Sequence, residues 1–379
     1  MNDDVKVIIL RVNRGENKPT ADTDLFGHTL EQWVRGAMRG ITTESVDYTE
    51  GEELLPVVTS SLSDAHPITA VFYSDTPLLT YTVVSDAVAR LKRDNMNIMR
   101  LPRGWVFRTD YARSCEKITA DRITTLGDDD FLTIVNYNQL AYASEILRSR
   151  ITYFFMERGV EIVDPNSTFI GADVVIEAGA KICPFCRISG KTIIRKGATI
   201  GENCVIDSSV IEGGATVKAS TLSGAIVYKN ASVGPYAHLR KGSVICVGAK
   251  IGDYVEIKNS RIGAGSKINH LAYVGDAEIG KNCNIGAGVV FANYDGKTKR
   301  RITLGDKVFV GSNSTLVAPL DIGKEAFIGA GSVITQSVPA KALAIGRSHQ
   351  TTKENWENNT YTETTEDINI KEKENERTW

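Results

Sequence analysis

The chain has 379 residues, enough for two domains on the usual length scale. Its 42% hydrophobic and 24% charged content is that of an ordinary globular protein, and a formal net charge of -2 gives no electrostatic pull toward nucleic acid or an anionic membrane. The opening "MNDDVKVIILRVNRG" puts acids first and has too short an apolar run for a signal peptide. No stretch approaches the ~20 apolar residues of a membrane helix, so the expectation is a cytoplasmic protein without membrane insertion.

"VKVIIL" (5–10) reads as a buried strand, followed by a helical pattern in "TLEQWVRGAMRG". "ITAVFYS" (68–74) is a second strand and "VVSDAVARLKR" (83–93) a helix. Strands alternating with helices predict a compact α/β domain over residues 1–140. The clearest helix is "YNQLAYASEILRSRITYFFMERG" (137–159), expected to run through a linker helix and lead-in strand (141–165) into a repeat region that begins near residue 166.

From Ile170 a hexad sets in: Ile170, Ile176, Ile182, Ile188, Ile194, Ile200 and Ile206 are each six apart. Four residues after each of the first six comes a small or modest side chain: Val174, Ala180, Cys186, Thr192, Ala198 and Cys204. The phase slips around 207–226 and resumes at Val227, Val233, Leu239, Ile245, Ile251 and Ile257, then recurs to Ile334. Short-period repetition of this kind marks a solenoid. Six residues make a strand and a turn, and three such units close a triangular coil stacked on the next at about 4.8 Å. Residues 166–338 are expected to supply nine to ten coils of eighteen.

The same register explains the cysteines. Cys186, Cys204 and Cys283 fall at the small inward position and read as core residues. "CPFC" (183–186) lacks the second Cys/His pair of a zinc site and the helix of a redox motif. Residues 339–379 form a C-terminal segment and tail; from 351 onward the hexad is lost and eight acids face four bases, the composition of a mobile or partner-dependent segment.

Three features break the monotony. Arg240 and Lys258 stand eighteen apart, one full coil, and stack on one face, where they suit a phosphate or simply a solvated surface. His270 lies near Tyr273 and Asn284; histidine accepts a proton readily near neutrality, although a lone one is often only a surface or core residue. Finally, "VVFANYDGKTKRRITLG" (289–305) interrupts the hexad, and its "KTKRR" offers four cations to a polyphosphate or to water.

"GPYAHLRKGS", "YVEIKNSRIGAGSKINHLAYVGDAEIGKNCNIGAG", "FANYDGKTK", "DKVFVGSNSTLVAPLDIG" and "ALAIGRS" resemble one family. It is the acetyltransferase half of the bifunctional bacterial glucosamine-1-phosphate N-acetyltransferase / N-acetylglucosamine-1-phosphate uridylyltransferase. The resemblance covers about 165 to 356 and is near-continuous from 232. It implies a left-handed parallel β-helix, a homotrimer, and acetyl transfer from acetyl-CoA to an amino-sugar phosphate, on the route to UDP-N-acetylglucosamine and peptidoglycan precursors. It also implies His270 as general base, with Arg240, Lys258, Tyr273 and Asn284 on the sugar phosphate and Glu256 beside them. Ala287, Asn293, Tyr294, Ser312, Ala330 and Arg347 match positions that contact acetyl-CoA.

The first half resembles the family's nucleotidyltransferase domain, of Rossmann-like α/β type, in shortened form. Where the family has a Gly-rich phosphate loop, LAAGxGTRM, this chain has "IILRVNRGENKPT", with Arg11, Val12 and Asn13 in place of small residues. "SDTPLL" (74–79) and "IVNYNQL" (134–140) resemble the segments holding a catalytic Mg2+, which would make Asp75 and Asn136 its ligands if that site still functions. The reading is an N-acetyltransferase whose uridylyl transfer is lost. Two alternatives are a bifunctional enzyme that keeps it, and a non-catalytic trimeric scaffold or nucleotide-sugar sensor. A trimeric zinc hydratase is set aside, because no further solenoid histidine joins His238 and His270.

Overall fold

The computed structural model describes residues 3–119 and 128–356; of the polar tail, 357–379 lie outside the described residues. Two units result, Met1–Ile345 and Gly346–Trp379. The first opens with strand β1 (Val5–Asn13), the hairpin β2 (Asp24–Leu25) and β3 (His28–Thr29), helix α1 (Leu30–Gly36), β4 (Thr42–Thr49) and α2 (Leu54–Thr59). Next come β5 (Ile68–Tyr73), α3 (Tyr81–Arg93), β6 (Ile98–Leu101), β7 (Gly104–Arg108), α4 (Thr109–Ser114) and the long helix α5 (Tyr137–Met156).

Five strands form one mixed sheet in the order β4-β1-β5-β7-β6, parallel across β4-β1-β5 and antiparallel beyond. The near-continuous apolar run of β1 follows from burial on both faces. Val7 and Ile9 pack with Val34, Val84 and Val88, while Ile8 and Leu10 pack with Val58, Phe107 and Ala112 on the other side. Thr29 starts α1 with a reciprocal cap: its hydroxyl accepts from Gln32 N, and the Gln32 side chain accepts from Thr29 N.

From Glu161 the chain winds as a parallel β-solenoid with three faces. The first face holds eleven strands (Glu161–Ile162 to Leu343–Ala344), the second ten (Phe169–Ile170 to Val333–Ile334) and the third nine (Val175–Ile176 to Leu320–Ile322). The hexad isoleucines all point inward and are buried, as are the small residues four places on. Cys186, Cys204 and Cys283 are core residues, and the Cys186 and Cys283 thiols each donate to a carbonyl of the next coil at 3.1 Å.

Coil length is not uniformly eighteen. Ile182 pairs with Ile200 at eighteen, but Ile194 pairs with Ile211 at seventeen and Ile206 with Leu222 at sixteen, which is the phase slip in the sequence. Coils of seventeen return at Ile245–Ile262 and Ile251–Ile268. Each lost residue comes out of a corner, so the inward positions stay stacked. The β2–β3 hairpin docks the N-terminal sheet domain on the first coils. Phe26 O accepts from Ala172 N at 2.9 Å, the Phe26 ring stacks on Phe169, and His28 Nε2 lies 3.0 Å from Asp173 Oδ1.

Candidate active site

His270 sits where the first face turns into the second. It ends the strand Lys267–His270 and pairs in register with Asp253 of the preceding coil. Its Nδ1 lies 2.6 Å from Asp253 Oδ1. An ionised carboxylate only accepts hydrogen bonds, so Nδ1 carries the proton and Nε2 keeps its lone pair, a tautomer assigned from the partner. The His270 side chain is 59% exposed, within reach of a substrate. The next residue, Leu271, adopts a left-handed φ of 49° and donates its N–H to Asp253 O at 3.0 Å, tying the corner to the coil before it. Asp253 was not a sequence candidate, because a coil of eighteen points from His270 to Gly252.

On the second face Leu239 pairs with Ile257 and Lys258 with Gly275, so Arg240, Lys258 and Gly275 share one column. Arg240 Nη1 donates to Glu256 Oε1 at 2.8 Å. Lys299, from the inserted segment, lies against Lys258; the side-chain hydrogen bond with Lys299 and then its charge, followed by partial desolvation and the charge of Arg240, push the Lys258 pKa below the ordinary lysine value. Three cations therefore gather on an exposed face that Glu256 and Asp276 only partly offset.

Tyr273 faces Glu256 and Val290 across the same face. Gly275 makes room for its ring: a Cβ there would stand 2.5 Å from Tyr273 Oη and 2.6 Å from Asn293 Nδ2. Buried Asn293 donates to Asp276 Oδ2 at 2.5 Å, and Asn259 Nδ2 donates to the other oxygen at 2.5 Å. Asn284, half-buried, stands on the first face between Lys267 and Phe309, one coil beyond His270.

Counting on from the register Ile268–Ile285–Val310–Ile328 puts His270, Ala287, Ser312 and Ala330 in one file along the corner. Ala287 O accepts from Asn313 N and Ser312 O from Gly331 N, each at 2.8 Å. The neighbouring Gly286 and Gly311 have no room for a Cβ, which would strike Ser312 N and Ala330 N. The result is a smooth file of small residues leading away from the imidazole.

The interruption expected over 289–305 is narrower. Val290–Ala292 and Ile302–Leu304 continue the second and third faces, because Phe291, Ile302 and Leu304 are buried, leaving 293–301 as the excursion. Tyr294, 57% exposed, bridges to Lys299 and donates its hydroxyl to Gly296 O at 2.7 Å. Asp295 closes the turn by accepting from Thr298 N (2.7 Å), Lys297 N (2.8 Å) and Thr298 Oγ1 (2.9 Å), and these bonds hold its pKa down at about 2. Two of the four cations are engaged: Arg301 with Glu278 at 2.9 Å and Arg300 with Asp295 at 3.8 Å. Arg347 is exposed and belongs to the Gly346–Trp379 unit.

In the N-terminal domain, Asp75 is buried just past β5, and Arg14 and Arg103 both bond its carboxylate. Asn136 is exposed and caps α5, its Oδ1 accepting from Gln139 N at 3.0 Å. Mg2+ demands free oxygen ligands in near-octahedral array, so these two residues do not fit it. Among the described residues no group of three or more His, Cys, Asp or Glu could hold a metal ion.

The hexad and the three-faced parallel solenoid it builds define a hexapeptide-repeat domain. Residues 259–293 match the model of the bacterial transferase hexapeptide (six repeats), and 301–336 that of the hexapeptide repeat of succinyl-transferase. More particularly, the chain is homologous to proteins named bifunctional protein GlmU. It is 45% identical over 232 residues to that of Clostridium novyi (strain NT), covering 61% of this chain and 51% of the relative. The corresponding protein of Thermoanaerobacter pseudethanolicus (strain ATCC 33223 / 39E) is 50% identical over 232 residues, with the same shares of 61% and 51%. That of Clostridioides difficile (strain 630) is 48% identical over 252 residues, 65% of this chain and 55% of the relative. The chain thus spans about half the length of the relatives it matches.

Proposed function

We propose that the solenoid transfers acetyl from acetyl-CoA to the amine of glucosamine 1-phosphate, giving N-acetylglucosamine 1-phosphate for UDP-N-acetylglucosamine and peptidoglycan-precursor synthesis. The observation that carries the reading is the 2.6 Å pairing of His270 Nδ1 with Asp253, which leaves Nε2 as the acceptor next to a face rich in positive charge. The sugar amine is largely protonated near neutrality and attacks a thioester only after losing a proton. His270 Nε2 removes it; the nitrogen–carbonyl bond forms, the carbon–sulfur bond breaks, and coenzyme A leaves as its thiol after taking up a proton.

Arg240, Lys258 and Lys299 hold the phosphate, with Glu256 fixing the Arg240 fork. Tyr273 and Gly275, about 7 Å apart along their strand at the usual rise per residue, form the floor on which the sugar ring lies. Asn284 reaches the ring from the first face. The file Ala287, Ser312, Ala330, together with Asn293 and Tyr294, receives acetyl-CoA. A homotrimer gives the first face a cover: Phe309, Phe327 and Leu343 continue the column of Asn284, exposed at 38%, 45% and 64%, with the two phenyl rings stacked at 4.4 Å.

The test is free-thiol release on mixing acetyl-CoA with glucosamine 1-phosphate and other amino-sugar phosphates, alongside His270→Ala and a measurement of oligomeric mass. Ligand binding without thiol release would instead favour the scaffold reading.

A further inference from the structure

An open α/β sheet ordinarily receives its ligand outside the carboxyl ends of its parallel strands, where the strand order reverses. Here β1 lies between β4 and β5, so that crevice opens over Arg14, Glu50 and Asp75, each just past a strand end, with Arg103 in the β6–β7 turn beside them. These four side chains fill it. Arg14 pairs with Asp75 and, at 3.0 Å, with Glu50, and donates to Ile134 O at 3.1 Å. Arg103 grips both carboxylates with two bonds each: Glu50 at 2.9 and 3.2 Å, Asp75 at 2.8 and 3.3 Å. Its guanidinium also stacks 4.0 Å over the Tyr73 ring.

Side-chain exposure is 3% for Asp75, 7% for Arg14 and 19% for Arg103, while Glu50 is 42% exposed at the open side, and the charges balance at two against two. Burial alone would lower the Arg103 pKa, but its bonds to Glu50 and Asp75 hold it above the ordinary value; Arg103 in turn holds Glu50 below the carboxylate range. A divalent cation at Asp75 would have to displace two guanidinium groups from its carboxylate and leave the part-buried Glu50 as the one carboxylate for both. The backbone is closed to phosphate as well. Arg11–Asn13 run on as strand, paired with Asp47–Thr49, and Val12 N donates to Ser74 Oγ at 3.0 Å.

We propose that Arg14 and Arg103 are a built-in replacement for a divalent cation at Asp75. The crevice takes neither Mg2+ nor a nucleoside triphosphate, and the domain serves as a fixed cap on the first solenoid coils. This stands independently of acetyl transfer. The full-length chain is titrated with Mn2+, following the free-ion resonance, and with UTP in the presence of Mg2+ by calorimetry. The wild type is expected to deplete no Mn2+ and release no heat with UTP at millimolar ligand. Asp75→Asn is expected to lower the melting temperature by several degrees. The double variant Arg14→Met/Arg103→Met, which frees two carboxylates, is expected to gain Mn2+ binding that Asp75→Asn then removes; Arg14→Gln/Arg103→Gln serves if the first double variant does not fold. Wild-type uptake of Mn2+ that Asp75→Asn abolishes would overturn the proposal. So would an unchanged melting temperature in Asp75→Asn, or arginine variants that gain no metal.

Discussion

Lys299 crosses from the inserted hairpin to lie against Lys258, and its hydrogen bond and charge there depress the Lys258 pKa. Repulsion of this kind on an exposed face is relieved when a dianion binds between the charges. Lys299→Ala is therefore expected to raise the Lys258 pKa, read by NMR of the labelled side-chain amine. It should also raise KM for the sugar phosphate about 10- to 100-fold, the worth of one hydrogen bond to a charged group, with kcat changed far less. Because the column is open to solvent, wild-type KM should climb with ionic strength. A KM indifferent to both would move the phosphate off this column.

The Asp253–His270 pair separates chemistry from binding. His270→Ala removes the base and should cost kcat roughly 10²–10⁴-fold. Asp253→Asn keeps the shape but not the charge that fixes the tautomer, so kcat should fall by about 10- to 100-fold, less than the loss of the base itself, with KM within a few-fold and melting unchanged. Wild-type turnover in Asp253→Asn would reduce the contact to a structural one.

The solenoid was legible because each inward position leaves little chemical choice: a branched residue such as Ile188, then a small one such as Cys204 four places after Ile200. The site was legible where a coil keeps eighteen residues, as from Arg240 to Lys258. It was lost where a corner gives up one residue, which shifts the partner of His270 from Gly252 to Asp253. Lys299 was visible only as one of four cations; its approach to Lys258 depends on how the hairpin folds. In the N-terminal domain periodicity revealed β1, β5 and α3, but no local pattern links Arg14 and Arg103 to Asp75, which lie 61 and 28 residues away.

Asp295 tests that hairpin. Its carboxyl has a folded pKa of about 2 against an ordinary 3.8, so the order it contributes is present above 3.8 and lost as pH falls toward 2. Across any neutral assay range it is ionised, and the effect of removing it should not vary with pH. Asp295→Ala releases the turn at Lys297–Thr298 and should raise KM for the sugar phosphate severalfold. Because it acts through Lys299, Asp295→Ala/Lys299→Ala should be no worse than Lys299→Ala alone. Additive losses would mean that the turn supports something else.

Two glycines divide site from scaffold. At Gly275 an added Cβ meets only the ends of side chains, Tyr273 Oη and Asn293 Nδ2, and the residue is not among those with positive φ. Gly275→Ala should therefore melt within a few degrees of wild type, yet lose at least about tenfold in kcat/KM as Tyr273 and Asn293 are pushed aside, since small displacements of positioning groups cost rate steeply. At Gly263 the same Cβ meets backbone instead, Gly280 O and, at 2.7 Å, Ile279 O, which cannot swing away. Gly263→Ala should cost about 1–3 kcal/mol of stability, while its folded fraction keeps wild-type kcat/KM. If Gly275→Ala instead lost stability and kept its rate, the second face could not be the floor on which the sugar lies.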